Sequence, residues 1–258
     1  MVNARGRNLV VAVVAILLAG LTLVGGYGVW YLFLRPAGPA AVGSTALPVP
    51  SAAVASAPAT AASATAASTS AGQGAGIDGT WKVDPAIQGS DGSTSFVGYR
   101  VQEELAGFGA NTAVGRTSAV SGSMTIAGTQ VTDATFEADL TGLTSDDRNR
   151  DRQLGNQGIQ TNQFPSATFK LTSPIDLGSV PADGQEVSVT AKGQLTLHGV
   201  TKDVEIPLKA KLSGDVIVVG GSLPITFADY GIDKPNSFKV LSIDDTGTME
   251  LQLFFTKS

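Results

Sequence analysis

From about residue 79 to the C-terminus the chain alternates apolar and polar residues with a period of two, and that pattern constrains its fold more than any other feature. Successive side chains of a strand point to opposite faces, so the pattern describes strands with one buried and one wetted face. It predicts strands at 80–83, 93–101, 118–126, 131–140, 167–173, 187–197, 203–212, 216–227 and 248–256. Turn signals separate them: Ala127-Gly128, Asp183-Gly184, His198-Gly199, Ser213-Gly214-Asp215 and Asp245-Thr246-Gly247. Long strands joined by short turns indicate an all-β antiparallel sandwich or barrel. One stretch breaks the rhythm. Residues 145–162 are polar, open with Ser145-Asp146-Asp147 and carry Arg148, Arg150 and Arg152. Ser145 or Asp146 is placed to cap a short helix there, and Pro165 stops anything helical before the next strand.

The N-terminal third has a different character. Residues 8–34 form a run of 27 without a charge, dense in Val, Leu, Ala and Ile. As a helix it would span about 40 Å, more than the ~30 Å hydrocarbon core of a bilayer. Tyr27, Trp30, Tyr31 and Phe33 crowd its last third, where amphipathic rings favour the membrane interface. A cleaved signal peptide has a shorter apolar core, so residues 1–35 are expected to form a cytoplasmic tip and an uncleaved transmembrane anchor. Arg5 and Arg7 precede the run and Arg35 follows it, which places the N-terminus in the cytoplasm and the C-terminal domain outside. Residues 36–76 are almost wholly Ala, Ser, Thr, Pro and Gly with no charge, the composition of a disordered linker. The expected organisation is anchor, linker, and a β-domain at 77–258.

Charge and residue counts exclude several functions. The 258 residues carry 17 Lys and Arg against 22 Asp and Glu, and every acid lies after residue 76. The C-terminal domain is therefore strongly acidic, with no basic face for nucleic acid. With no cysteine there are no disulfides, thiol catalysis, thiolate metal sites or cysteine lipid anchor. No cofactor motif is present. Asp233, Asp244 and Asp245 lack the alternating ligand spacing of a calcium loop, so no metal is assigned.

The segment Gly193-Gln194-Leu195-Thr196-Leu197-His198-Gly199-Val200-Thr201-Lys202 resembles the "LTLHGVTK" hairpin of the YceI-like family. The run Arg150-Asp151-Arg152-Gln153-Leu154, followed by Phe164-Pro165-Ser166-Ala167-Thr168-Phe169, resembles that family's "RD-x-x-L … FP-x-x-x-F" block. Phe96, Tyr99 and Val101 match its first long strand loosely. The resemblance covers residues 79–256. It implies a lipocalin-like antiparallel barrel of about eight strands with one short helical insertion, whose interior holds a polyisoprenoid or similar long amphiphile. A small barrel either fills its interior with side chains or holds one ligand, and the composition of the inward positions suits both.

The candidate ligand-binding residues are Tyr99, Val101, Phe164, Phe169, Phe227 and Arg150. Phe164, Phe169 and Phe227 would line an apolar tunnel, although core packing is the ordinary role of such rings. Alternation lets only one of Tyr99 and Arg100 face a lumen, and Tyr99 is the expected one. The Arg150 fork suits a phosphate head group, but the neighbouring Asp146, Asp147 and Asp151 favour pairing on a solvated helix. His198 precedes Gly199 between two strands, so it is read as a turn residue. No serine nucleophile motif accompanies it and no catalytic residue is assigned. The expected function is that of a tethered, non-enzymatic carrier or sequestering protein for an isoprenoid-type lipid. The alternative is a cell-surface structural or interaction module with a filled core. The oligomeric state is left open, with a dimer among the options.

Overall fold

In β13, Thr246–Lys257, the residues Met249, Leu251, Leu253 and Phe255 point inward and Glu250, Gln252 and Phe254 point outward, as the period of two requires. A computed structural model describes residues 38–43, 46–51 and 76–258. The apolar run 8–34 and the stretch 52–75 lie outside the described residues. Among the described residues no helix is long and apolar enough to cross a membrane.

The remaining strands are β1 Gly79–Val83, β2 Phe96–Leu105, β3 Gly109–Thr117, β4 Val120–Ala127, β5 Gln130–Asp139, β6 Thr144–Ser145, β7 Ser166–Leu171, β8 Ile175–Asp176, β9 Glu186–Leu197, β10 Val200–Ser213, β11 Val216–Thr226 and β12 Val240–Ile243. Pairing runs β1-β4-β5-β7-β9-β10-β11-β13 and closes from β13 back to β1, an antiparallel barrel of eight strands. One edge of β13 is shared. Residues 255–257 pair with β1, whereas residues 248–252 pair with β2, whose hairpin with β3 extends the wall beyond the ring. Closure leaves the ring without an unpaired edge.

Strand β3 was not legible as a strand. Its sequence GANTAVGRT lacks clean alternation, and glycine is required at Gly115, where a Cβ would sit 2.3 Å from the Tyr99 ring. Tertiary packing overrides local propensity there. The break at 145–162 is confirmed as a helix, α1 Arg148–Gln153, running into a π-helical turn Leu154–Gly158. Its cap is Asp147, whose carboxylate accepts from the Asn149 amide at 2.7 Å, rather than Ser145 or Asp146.

The His198-Gly199 turn is as expected. Leu197 pairs with Val200, leaving a two-residue hairpin loop with φ of 52° at His198 and 73° at Gly199. Positive φ at both positions gives the backbone twist that matches the flanking strands. Nδ1 of His198 lies 3.0 Å from the Tyr230 carbonyl, which can only accept, so Nδ1 carries the proton. The ring packs on Phe164 at 4.3 Å between centroids.

The outward face of β11 and β13 is buried as well. Residues 40–43 and 46–51 belong to the same compact unit as the barrel, although their composition reads as linker. Leu47 covers Val218 and Phe254, both 0% exposed. The Lys211 ammonium donates to the Leu47 carbonyl at 3.0 Å, Arg116 donates to the Ala40 carbonyl at 3.1 Å, and the Val42 amide donates to Glu250 at 3.2 Å. Ser51 and Ser90 amides complete the seam by donating to the Gln88 and Val49 carbonyls. Beneath it the buried Glu250 carboxylate is held by Arg100 at 3.0 Å and Arg116 at 3.6 Å. Burial lowers the pKa of the Arg116 guanidinium, an effect that Glu250 opposes.

Candidate functional site: an apolar cavity beneath a polar cap

Inside the ring lies a cavity of about 170 Å3. Its wall includes Val97, Phe136, Phe169, Leu195, Leu223 and Met249. Glu137, Thr168, Lys211 and Glu250 border it, but each sits at an outward register of its strand. The interior chemistry is thus hydrocarbon.

At one end the apolar wall gives way to a polar layer. Val97, Tyr99, Val101 and Glu103 share the inner face of β2, so the lumen-side rather than the outward position belongs to Tyr99, and Arg100 points out. Met249, on the cavity wall, is the cross-strand partner of Tyr99. Glu103, 8% exposed, accepts from Arg150 at 2.6 Å and from Asn111 at 2.6 Å. Arg150 also pairs with Asp146 and donates to the Ser145 hydroxyl at 3.3 Å. Asp151 accepts from both the amide and the hydroxyl of Ser145, at 2.9 and 2.6 Å, tying α1 to β6. The Ser145 oxygen also accepts from the Asp147 amide. The Tyr99 hydroxyl is buried over Gly115, where an added Cβ would meet it at 2.8 Å, and Gly115 is the cross-strand partner of Ser145. Burial pushes the Tyr99 phenol up to about 12, with Arg150 and a hydrogen bond with Ser145 opposing the shift and Asp151 and Glu103 reinforcing it.

The motif block acquires physical roles in this arrangement. Arg150 reaches Glu103, Asp151 holds Ser145, and Leu154 packs against the barrel core. The Pro165 carbonyl accepts from the Leu140 amide at 2.7 Å, and Phe164 lies against His198 and Gly199. The sequence matches the YceI-like domain over residues 63–255. The chain belongs to the YceI-like family. Among solved structures it is similar to a polyisoprenoid binding domain from Saccharophagus degradans, with 22% identity and a TM-score of 0.53 over 69% of this chain and 98% of that one. It is also similar to BcnA of Burkholderia cenocepacia, with 19% identity and a TM-score of 0.48 over 62% of this chain and 95% of that one. At these identities the likeness concerns the fold. No curated protein matches the chain. Residues 40–51 lie outside the YceI-like match.

The candidate residues do not converge on one surface. Phe169 lines the cavity. Tyr99 and Arg150 meet in the polar layer. Phe164 packs on the His198 turn. Phe227 and Val101 flank Gly247, where an added Cβ would meet them at 2.9–3.0 Å. These two belong to the packing above the cavity rather than to its wall. Glu103, Asn111, Ser145 and Asp151 were not singled out by sequence reasoning. Glu103 had a usable signal, a carboxylate at an inward register of an alternating strand; the others depend on pairing across the fold.

Proposed function

We propose that this YceI-like chain is a non-catalytic binding protein that holds a polyisoprenoid or a similar long amphiphile in its barrel. The observation that supports this reading is the cavity, closed by a ring of strands and walled by apolar side chains. Each methylene withdrawn from water contributes about 0.8 kcal/mol, so an apolar chain binds there without polar contacts. At about 170 Å3 the cavity is smaller than typical ligand pockets of roughly 300–1,000 Å3. A long chain is therefore accommodated by turning aside half-buried wall residues such as Phe136, Phe169 and Met249. The filled-barrel alternative is disfavoured because the interior already carries a cavity well above the size of a single water.

The proposal extends to location. Residues 8–34 tether the barrel to the outer side of the cytoplasmic membrane, a reading that rests on apolar length and on the flanking arginines. It puts the barrel beside the bilayer in which such lipids reside. Native mass spectrometry of the purified full chain, with and without added polyprenol, tests the binding. Adducts of isoprenoid mass are expected, and a chain that neither copurifies with lipid nor takes up polyprenol refutes the proposal.

A further inference from the structure

Parting two strands of a closed barrel breaks ladder hydrogen bonds, so an apolar chain reaches the interior most easily where the wall is not a strand. Three residues of the cavity wall lie outside the strands: Ile77, Leu177 and Pro181. All three sit at one end of the ring. Ile77 precedes β1, whose first residue pairs with Ile126 beside the β4–β5 turn, and the Leu177 amide donates to the Thr129 carbonyl in that turn at 2.8 Å. Pro181 belongs to the loop 177–185, whose other side meets the β10–β11 turn. There the Gly184 amide donates to the Leu212 carbonyl at 2.8 Å, and the Asp183 carboxylate accepts from the Gly214 amide at 2.7 Å. The loop therefore runs from one turn to the other across the end of the barrel.

The two ends differ in how firmly they are shut. At the polar layer the Arg150–Glu103 pair and the Asp151–Ser145 bonds tie α1, β2 and β6 together, and Val101 and Phe227 pack around Gly247. Separating a buried ion pair strands its charges, so that end is costly to open. At the loop end Ile77 is fixed as well: it is buried, its carbonyl accepts from the Trp81 indole at 2.8 Å, and the Gly76 carbonyl accepts from the Lys257 ammonium at 2.8 Å. The loop is fixed only at its two feet. Among the described residues, 179–181 form no hydrogen bond with the rest of the chain. Ser179 and Val180 are exposed and Pro181 is half-buried. Gly178 and Gly184 flank the segment with φ of 72° and 76° and open space where a Cβ would stand, positions suited to absorbing a change of dihedral.

We infer that residues 177–185 form the gate of the cavity: an apolar chain enters and leaves at this end as 179–181 swing aside on Gly178 and Gly184, withdrawing Pro181 from the wall. The inference rests on the lipid-binding reading and adds to it a route and a moving part. What carries it is the conjunction of a wall residue, Pro181, with a backbone stretch that only apolar contact holds in place. Moving that stretch gives up a small apolar contact and no hydrogen bond, whereas any other opening breaks a strand ladder or an ion pair.

The chain contains no cysteine, so a single introduced thiol marks a single site. Val180→Cys places one on the gate, at a side chain 53% exposed. Phe238→Cys places one at the opposite end, at a side chain 90% exposed just before β12, which pairs with Glu103 on β2. Each full-length variant, in mild detergent, is coupled to a polyethylene glycol maleimide, checked for an unchanged melting temperature, and mixed in stopped flow with retinol, a fluorescent isoprenoid alcohol. Polymer on residue 180 is expected to slow uptake and release alike by about tenfold with Kd unchanged, because both directions cross the one hindered barrier. Polymer on residue 238 should leave both rates native. Pro181→Gly removes the wall residue and should quicken both rates several-fold at nearly constant Kd. Rates untouched by polymer on residue 180, or slowed equally by polymer on residue 238, overturn the gate and leave the lipid-binding reading standing. A Pro181→Gly protein with native rates does the same. A native chain that binds neither retinol nor polyprenol removes both readings.

Discussion

Leu47 fastens residues 46–51 to the outside of the barrel, and its truncation measures how far the folded unit depends on a segment whose sequence reads as linker. The side chain is 6% exposed and lies on Val218 and Phe254, each 0% exposed. Leu47→Ala removes three buried carbons, about 2 kcal/mol at roughly 0.8 kcal/mol each. The segment lies on the surface and settles into part of the gap, so the low end of the ~2–5 kcal/mol range for such truncations applies. For a domain of this size that lowers the melting temperature by about 4–8 °C. Gly220 supplies the control, because a Cβ there would stand 2.7 Å from Leu47 Cδ2 and no closer than 3.4 Å to anything else. Gly220→Ala should destabilise the native chain yet cost little in the Leu47→Ala background, a coupling that a double-mutant cycle reads directly. Thermal melts of the four proteins followed by circular dichroism suffice. If Leu47→Ala melts with the native chain, or if the two substitutions add without coupling, the segment is not seated on Gly220 and Val218 as described.

Other expectations follow from particular contacts. Phe169→Asp puts a carboxylate into an apolar wall and should weaken polyprenol uptake by an order of magnitude or more, whereas Phe227→Asp should chiefly lower the melting temperature, because Phe227 packs over Gly247 outside the cavity. His198→Asn keeps a residue tolerant of positive φ in the turn and forfeits the bond to the Tyr230 carbonyl, so a loss of about 1 kcal/mol with unchanged lipid binding is expected by denaturant titration. Tyr99 ionises near 12 when folded against 10.0 when exposed, so its contribution is fully present below pH 10 and is lost as pH rises to about 12; alkaline melts of the native chain should show this slope and those of Tyr99→Phe should not. Deleting residues 1–35 is expected to move the protein from the membrane pellet to the soluble fraction, and a fragment that still pellets contradicts the tether.

Among the candidate residues, legibility followed the range of the interaction. Alternation placed Tyr99 and Arg100 on opposite faces, because the period of two is a property of one strand, and the fold puts Tyr99 on the inner one. It could not say that Phe169 reaches the cavity while Phe227 stops above it, since both are rings at inward-compatible positions of β-rich sequence. The acids beside Arg150 in sequence pointed correctly to pairing, and Asp146 is one of its partners. The buried partner, Glu103, is 47 residues away and comes close only when the β2–β3 hairpin and α1 close over the same end of the barrel.

What the sequence by itself determined is what repeats locally: the antiparallel strands, the two-residue turn at His198-Gly199, the break at 145–162, and the motif block that places the chain among YceI-like proteins. Tertiary structure alone decided the rest. Strand β3 packs against β2 because Gly115 lets the Tyr99 ring approach, which no propensity of GANTAVGRT reveals. Residues 40–43 and 46–51 have no periodicity, and they are held because Val218, Gly220 and Phe254, far along the chain, form the surface that takes Leu47. The cavity is the volume left after every inward side chain of the ring is placed. It is a small difference between large quantities that only the packed barrel defines.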